Sequence, residues 1–407
     1  MQMQLAWRNI WRNPRRTLVI LTAVVIGVWS MIFLGALMRG VADQFLQNGI
    51  ATLTGHIQIH HRGFRDDPVI QNRISNPEIL RRTLKKTLPP GSQWTERIRV
   101  NAIVNNARHA RGVTLVGVDP VQEARVSFIG HAVVEGTYLE PNDRQGILVG
   151  RSLVEDFETR LDRRLVLMSR DTNGEVASRA FRIRGLFRAE MEATEKQFVF
   201  VTDKAAREML GLENEITEVS VLLPSHGQAL NVAQAIREDL DTPSLSIQSW
   251  QDLLPMVRVM LELYDTFIFI WFLVVFIAMA FGIVNTLLMA VFERIREFGL
   301  LKALGLKPRG IVQVVLVESL LLLVLGTTAG NLLGILSTSA LAGTGIDLSS
   351  LAAGLEYVGM PRVIFPQIQW LDFVLANAVV LVLGLVVSLY PALKAARFTP
   401  VEALMHV

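Results

Sequence analysis

The chain has 407 residues, of which 51% are hydrophobic and 19% are charged, and its mean hydropathy is +0.38. Charged residues usually make up about a quarter of a soluble domain, so this composition excludes an ordinary soluble protein. The sequence contains no cysteine, which excludes a disulfide framework and thiol chemistry. The net charge of +3 is small and gives no indication of nucleic-acid binding.

The apolar residues are concentrated in four blocks that lack charged side chains. These blocks are residues 18–38, 266–292, 319–346 and 373–393. About 20 apolar residues, at about 1.5 Å of helical rise each, cross the hydrocarbon core of a bilayer. The sequence therefore predicts four transmembrane helices. The first block is expected to be an uncleaved anchor, because it is longer than the apolar part of a signal peptide and no small-residue cleavage site follows it.

The charged residues between the blocks predict how the chain is oriented in the membrane. Residues 1–16 carry four arginines and no acid, and loop 293–310 carries five basic residues against two acidic ones. Loop 342–372 has a single arginine against three acids. The positive-inside rule then places both termini and loop 293–310 in the cytoplasm, and segment 41–262 outside. Trp7 and Trp11 are expected to anchor a short amphipathic helix at the interface.

The long polar segment between the first two blocks predicts an external α+β domain. Its strands are indicated by alternating and β-branched residues, and its helices by amphipathic spacing. The predicted strands are 56–60, 113–118, 163–168, 181–187, 197–201 and 216–223, and the predicted helices are 152–161, 203–210 and 227–240. The fold class is thus an α-helical membrane protein with four transmembrane helices and a large α+β domain inserted between the first and second.

The second transmembrane helix is expected to begin well before its apolar block. Ser249 and Asp252 fit a capping box, and only Pro255 interrupts the helical pattern from there to residue 292. About 40 helical residues would measure about 60 Å, so this helix is expected to continue outward as a stalk. The first helix can do the same through residues 41–53. The alternative is a break near Pro255 with a separate surface helix.

A short amphipathic helix is predicted in the loop between the second and third spans. Ile295, Phe298, Leu301 and Leu304 recur every three residues and fall on one helical face, with the charged residues largely on the other. The helix is too short to cross a membrane. Two uses fit this pattern. The helix can lie passively in the headgroup layer, or its exposed side can dock a cytoplasmic partner.

Three sequence stretches resemble the FtsX-like permeases of ABC transporters. The loop reads ERIREFGLLKALGLKPRG, the tail reads YPALKAARFTPVEAL, and the start reads LAWRNIWRNPRRT. All three occur in the family's order, with a large external domain after the first span. Two further stretches, TGHIQIH and LVGVDP, look most like the lipoprotein-releasing branch of this family.

The resemblance implies that the loop helix is a coupling helix that docks on an ABC-type ATPase. The docking residues that the resemblance implies are Glu293, Arg294, Arg296, Glu297, Phe298, Gly299, Leu300, Lys302, Ala303, Leu304 and Gly305. The sequence contains no G-x-x-x-x-G-K-[S/T] and so cannot form a P-loop. ATP is therefore expected to bind a partner ATPase, present in two copies, and a second permease, identical or homologous, is expected beside this chain. We expect no cofactor, no metal and no catalytic residue in the chain itself.

The resemblance also orders the domains along the chain. They are a cytoplasmic interfacial helix (1–16), the first transmembrane helix and stalk (17–53), a periplasmic α+β domain (54–248), the second stalk and transmembrane helix (249–292), the coupling helix (293–310), the third transmembrane helix (311–341), a periplasmic loop (342–372), the fourth transmembrane helix (373–394) and a cytoplasmic tail (395–407). Within the periplasmic domain, the outer parts are expected to form a porter-like subdomain and residues 112–200 a second one. The bacterial inner membrane is the implied location.

Several polar or small residues inside the spans carry separate expectations. Gly326, Gly330 and Gly334 form a stripe that allows close helix packing, either within the subunit or between subunits. Glu318 and Asn285 are intramembrane polar residues. A carboxylate in lipid is costly, so Glu318 is expected either to pair with an arginine or lysine as an anchor or to relay movement of the coupling helix.

Three histidines at 56, 60 and 61 suggest a metal site. Alternate residues of a strand lie about 6.6–7 Å apart, which is wide for two ligands of one ion. The segment is therefore expected to be a solvated strand face.

Three functions fit these expectations. The first is a permease that couples ATP hydrolysis in the cytoplasm to movements of the periplasmic domain and so releases a lipoprotein. The second is a tripartite exporter of a drug, peptide or lipid, like the macrolide exporters. The third is a regulator of a cell-wall hydrolase that transports nothing. A periplasmic acceptor is a further possible partner, and membrane lipids surround the spans.

Overall fold

The computed structural model describes residues 7–8, 11–240, 242–347 and 363–399. The expected helix 1–16, loop 342–372 and tail 395–407 therefore lie partly outside the described residues. Twelve helices are described: α1 (Pro14–Gly49), α2 (Pro77–Thr87), α3 (Pro120–Val126), α4 (Arg151–Asp156), α5 (Glu192–Gln197), α6 (Asp203–Leu210), α7 (Ala229–Asp239), α8 (Trp250–Leu253), α9 (Pro255–Glu293), α10 (Ile295–Ala303), α11 (Pro308–Ala342) and α12 (Trp370–Arg397).

The strands belong to two sheets. They are β1 (Ile57–His61), β2 (Gln93–Asn105), β3 (Ala110–Val118), β4 (Val133–Gly136), β5 (Gly146–Gly150), β6 (Arg164–Arg170), β7 (Val176–Phe187), β8 (Phe198–Thr202), β9 (Glu218–Leu222), β10 (Leu245–Ser249), β11 (Ile346–Asp347) and β12 (Val363–Ile364). β11 and β12 form a small antiparallel pair. The other ten strands form one sheet.

The chain divides into a helical unit and a mixed unit. The helical unit contains the described residues up to Gln44 and those from Met260 onward, and the mixed unit spans Phe45–Val259. Four helical runs are long and apolar enough to cross a membrane, which confirms the four predicted spans. They are Pro14–Thr54, Pro255–Glu293, Pro308–Ala342 and Trp370–Arg397.

The core of the helical unit is formed by aliphatic and aromatic side chains that pack together. Val24 and Val28 of α1, Phe272 and Phe276 of α9, and Val380 of α12 are buried together. Each of the long helices exposes large apolar residues on its remaining sides. A helix that is apolar on all sides is typical of a membrane span.

The mixed unit is built on the ten-stranded sheet, and its presence confirms the predicted α+β domain. The strand order is β10-β1-β9-β2-β3-β8-β5-β7-β4, and β6 pairs with both β2 and β7. Neighbouring strands are antiparallel except for the pairs β3–β8 and β5–β7. The strands of residues 112–200 lie towards one end of this order. The two expected subdomains thus share one continuous sheet.

Of the two alternatives for the start of the second long helix, the structure shows the break near Pro255. The Ser249–Asp252 capping box is present, but the helix that it begins ends at Leu253. Leu254 adopts a non-helical conformation with φ −120° and ψ 63°, as expected for a residue that precedes proline. The long helix begins anew at Pro255 and runs for 39 residues, or about 58 Å. The helix is therefore as long as predicted but separate from the capping box.

The helical run that begins at Pro14 ends in a strained turn. Leu53 has φ +65°, and Gly55 follows with φ +68°. A left-handed conformation is costly for leucine, and its side chain is 2% exposed. A Cβ on Gly55 would lie 2.3 Å from Ser220 Oγ, so only glycine fits where the chain enters β1.

A buried ion cluster holds this turn. Arg97 of β2 is fully buried and donates to the Leu53 carbonyl, to Glu123 of α3 (2.8 Å) and to Glu218 of β9 (3.1 Å). Burial acts to lower the pKa of Arg97, but the two carboxylates raise it above its ordinary value. The guanidinium therefore stays charged and ties together a helix, two strands and the end of the first helical run.

The predicted solvated strand face at the histidines is wrong. His56, Gln58 and His60 are all buried, because β1 is an interior strand that pairs with β9 and β10. Gln58 donates to Glu218 (3.1 Å), and a ring nitrogen of His60 lies 3.2 Å from Gln248 Oε1. Burial, with a smaller contribution from His226, lowers the pKa of His56 to about 4.

Candidate functional site

The segment between the second and third spans folds as a nine-residue helix with defined ends. Arg294 is non-helical, with φ −109° and ψ 16°, and separates α9 from α10. At the other end Gly305 has φ +94°, and Pro308 begins α11. A left-handed glycine after the last turn and a proline at the next helix start are typical helix boundaries.

One face of α10 packs on the helical unit. Ile295, Phe298 and Gly299 are buried. Phe298 belongs to a small apolar cluster with Ile311 and Val315 of α11 and with Ala392 and Ala395 of α12. The position of α10 is therefore fixed by two membrane helices.

The apolar face predicted for this helix is only half correct. Leu301 and Leu304 were expected to lie with Ile295 and Phe298, but they are 41% and 76% exposed. The helix ends at Ala303, so Leu304 no longer follows the helical spacing. Together with Leu300, which is 55% exposed, these residues form an open apolar edge, here called the leucine edge (Leu300, Leu301, Leu304).

Acidic residues at the end of α9 and in the first turn of α10 pair with the N-terminal arginines. Glu297 accepts from Arg12 Nη2 at 2.5 Å. Glu293 accepts from Arg16 Nη1 at 3.2 Å and from Asn13 Nδ2 at 3.0 Å. These glutamates were predicted to belong to the docking surface. The structure shows both glutamates in contacts within the chain, and their part in docking stays a prediction.

The pKa values of the outermost pair follow from these contacts. Partial burial acts to raise the pKa of Glu297, but hydrogen bonds from Arg12 and Arg294 lower it below its ordinary value. The hydrogen bond to Glu297 and its negative charge raise the pKa of Arg12. Both groups are therefore charged at neutral pH.

Glu318 joins this network from inside the third span. Its carboxylate is 6% exposed and lies 3.0 Å from Arg294 Nη1 and 3.6 Å from Arg16 Nη2. Both arginine side chains are nearly buried, at 13% and 11% exposure. Glu318 thus connects the start of α1, the start of α10 and α11 through charged groups.

Lys302 connects α10 to the last helix. Its Nζ donates to the carbonyls of Ala396 and Phe398, each at 2.6 Å. Carbonyls at the C-terminal end of a helix lack intrahelical partners and carry partial negative charge. The lysine caps α12 and anchors the second half of α10.

The remaining predicted residues of this segment lie at its surface or nearby. Arg296, Ala303 and Gly305 are exposed, and Asn285 is exposed on α9. Among the described residues, no group of three or more His, Asp or Glu side chains is placed to hold a metal ion.

The glycine stripe of the third span lies against the first span. A Cβ on Gly326 would lie 2.6 Å from Val24, and one on Gly330 would lie 2.7 Å from Val28. Gly334 faces Ile32 in the same way, at 2.9 Å. Of the two alternatives, the stripe therefore packs within the subunit.

Two polar contacts of the helical unit could not be predicted from the sequence. Arg39 of α1 donates to both oxygens of Asp372 at 2.6 and 3.0 Å, and also contacts Asp265 of α9. Asn331 and Asn377 exchange side-chain hydrogen bonds of 2.8 and 3.2 Å between α11 and α12. In the sequence these are isolated polar residues: Arg39, Asp265 and Asp372 flank apolar blocks, and Asn331 and Asn377 lie within two of them.

Two protein families match this chain. Residues 17–239, more than half of the chain, match the family described as "MacB-like periplasmic core domain". Residues 268–400 match the family described as "FtsX-like permease C-terminal".

Three curated relatives illustrate the similarity. The lipoprotein-releasing system transmembrane protein LolC of Neisseria meningitidis is 22% identical over 96% of this chain and 94% of its own length. The corresponding LolE of Haemophilus influenzae is 22% identical over 98% of both chains. The macrolide export ATP-binding/permease protein MacB of Chlorobium luteolum is 36% identical, but over only 31% of this chain and 16% of its own.

Proposed function

The chain belongs to the FtsX-like permeases with a MacB-like periplasmic core domain, and from this premise we propose that it is the membrane subunit of an ATP-driven complex in which an ABC-type ATPase docks on α10. It is a multi-pass protein of the inner membrane. The positive-inside rule supports cytoplasmic termini and a cytoplasmic α10. The mixed unit then lies in the periplasm.

The observation that carries this proposal is the leucine edge. Leu300, Leu301 and Leu304 are exposed on a short helix whose opposite face is fixed by packing and by Lys302. Full burial of a leucine side chain contributes about 1.5–3 kcal/mol, and a few buried residues usually carry most of the binding energy of an interface. Because burial of these exposed leucines against a partner would be favourable, an apolar edge on a fixed helix suits a groove on a soluble partner.

The contacts of α10 support a mechanical role. Arg12 ties it to the segment before α1, Arg294 ties its start to Glu318 of α11, and Lys302 ties its end to α12. A partner that moves α10 would therefore move three other elements with it. α1 and α9 are about 54 and 58 Å long, nearly twice the hydrocarbon core of about 30 Å, so we propose that they transmit this movement towards the mixed unit.

We propose that the cargo is a lipoprotein, released from the outer leaflet with the help of a second permease. The support is that relatives named for lipoprotein release match this chain over almost their whole length. A second candidate is export of a drug, peptide or lipid, favoured by the 36% identity to a macrolide exporter over 125 residues. Copurification of lipoproteins with the complex would support lipoprotein release. Copurification of a periplasmic adaptor would support export of a drug, peptide or lipid.

The docking proposal is tested by purification from native membranes with a tag on the C-terminal tail. An ATPase is expected to copurify with the unchanged chain and to be lost from the Leu304→Glu variant. The control is Val134→Glu, which alters another exposed apolar residue (55% exposed) in β4 of the mixed unit and should retain the ATPase. Docking at the leucine edge would be refuted if the ATPase were lost from both variants or retained by both.

A further inference from the structure

A cleft at the N-terminal end of α1 has not been explained by the contacts described above. It has a volume of about 670 Å³, within the range of about 300–1,000 Å³ typical of small-ligand sites. Its walls come from the start of α1 and the last two turns of α9. We propose that it binds the headgroup of an anionic phospholipid from the leaflet on the side of the N-terminus.

The charges around the cleft leave one arginine free to bind an anion. Arg12 pairs with Glu297, and Arg16 pairs with Glu293 and Glu318. Arg15 also lines the cleft, is exposed, and makes no ion pair within the described part of the chain. Glu293 is the one acid among the lining residues, and its charge is compensated by Arg16.

Two further donors at the cleft lack partners. Arg16 Nε is buried without a hydrogen-bond partner. Asn285 lines the cleft from α9, and its exposed amide has no hydrogen bond within the described residues. An unpaired amide on a membrane helix is costly. Phosphate and ester oxygens of a phospholipid are acceptors that would satisfy the exposed amide of Asn285.

The rest of the cleft is apolar, which favours a lipid over a free anion. Val19 and Met289 line it and are 59% and 60% exposed. Neighbouring Leu18 is 66% exposed. A ligand with a negative head and apolar chains matches this arrangement, since the chains can continue along the exposed sides of α1 and α9. This inference does not depend on which cargo the protein moves.

The test is native mass spectrometry of the complex as purified, stripped of lipid and titrated separately with phosphatidylglycerol and phosphatidylcholine. Phosphatidylglycerol is expected to bind more tightly. An arginine near an anionic lipid surface contributes about 1 kcal/mol, so Arg15→Gln should weaken this binding about fivefold. Asn285→Leu should also weaken it. Arg8→Gln is the matched control, because Arg8 is an exposed arginine of the same segment outside the cleft, and it should have little effect.

Three results would overturn the proposal. Equal weakening by Arg8→Gln and Arg15→Gln would mean that the whole basic segment attracts lipid without a site. Equal binding of the two lipids would mean that the cleft does not recognise charge. Displacement of phosphatidylglycerol by inorganic phosphate at similar concentration would make it a phosphate site. The bound ATPase is recorded in the same spectra, so loss of docking is distinguished from loss of lipid.

Discussion

Arg294, the single non-helical residue between α9 and α10, donates a 3.0 Å hydrogen bond to the buried carboxylate of Glu318 in α11. Arg294, which immediately precedes the proposed docking helix, is thus bound to a carboxylate inside a membrane span. Arg16 approaches the same carboxylate from α1. Any movement of α10 must either carry these helices along or break this contact.

Removal of the Glu318 charge is expected to destabilise the helical unit. Glu318→Gln leaves two nearly buried arginines with less compensation, and breaking a buried ion pair costs about 3 kcal/mol or more. The apparent melting temperature of the purified complex should fall. Arg294→Met combined with Glu318→Leu should recover part of the loss, because both charges are then absent.

The same variant separates an anchor from a relay. If Glu318→Gln leaves the complex assembled but abolishes stimulated ATP hydrolysis, Glu318 relays movement of α10. If hydrolysis and stability decline together in proportion, Glu318 is an anchor.

Close packing of α11 on α1 is tested by adding one methyl group. Gly330→Ala would place a Cβ 2.7 Å from Val28 and 3.0 Å from the carbonyl of Val25. Overpacking of this kind costs about 1–3 kcal/mol. Gly282→Ala in α9 is the control, because nothing lies within 4 Å of its added Cβ. Thermal unfolding should show a lower melting temperature for Gly330→Ala and an unchanged one for Gly282→Ala. Equal melting temperatures of the two variants would contradict this packing.

The mixed unit depends on the charge of Arg97. Arg97→Met removes the bonds to Glu123, Glu218 and the Leu53 carbonyl and leaves Glu123 buried with Thr95 as its remaining side-chain partner. The free energy of unfolding of the mixed unit is expected to fall by about 3–5 kcal/mol. The measurement is limited proteolysis, in which the mixed unit of the variant should be cleaved faster. Arg97→Met with Glu123→Leu should be more resistant than the single variant, and equal or greater sensitivity would mean that the buried charge is not the cause.

His56 predicts a loss of stability in mild acid. Its pKa is about 4 in the folded chain, because burial and, to a smaller extent, His226 disfavour the protonated ring, against about 6.5 when unfolded. Its Nδ1 accepts a hydrogen bond from the Leu223 amide. Between these values the unfolded state binds the additional proton, so this contribution destabilises folding progressively as pH falls from about 6.5 to about 4. The melting temperature of His56→Gln should fall less over this interval than that of the unchanged chain. An identical fall in both would show that His56 does not contribute.

The sequence was sufficient for features that depend on local composition. Four uninterrupted apolar blocks predicted the spans, and alternation with β-branched content predicted β1, β3, β6, β7, β8 and β9. The helix Asp203–Leu210 was predicted with its observed bounds, since Thr202 caps its start and Gly211 ends it in the left-handed conformation.

Features that depend on distant partners could not be predicted. β2 contains Arg97 in its centre, and its buried position is explained only by Glu123 and Glu218, which lie far along the chain. β5 was not predicted either, because it is only five residues long and begins and ends in glycine. The ion pairs of Glu293 and Glu297 were not predicted because their arginines belong to the other end of the sequence. Leu304 was placed on the packed face because the helix end at Ala303 was not recognised.

Site-specific cross-linking tests the docking claim most directly. The chain has no cysteine, so Leu304→Cys introduces a unique reactive thiol at the leucine edge, and Val134→Cys provides the matched control in the mixed unit. With a short thiol-to-amine cross-linker in native membranes, we predict a covalent adduct with an ATP-binding subunit for Leu304→Cys and none for Val134→Cys. An intact complex that contains the ATPase but gives no adduct at Leu304 would contradict docking on α10.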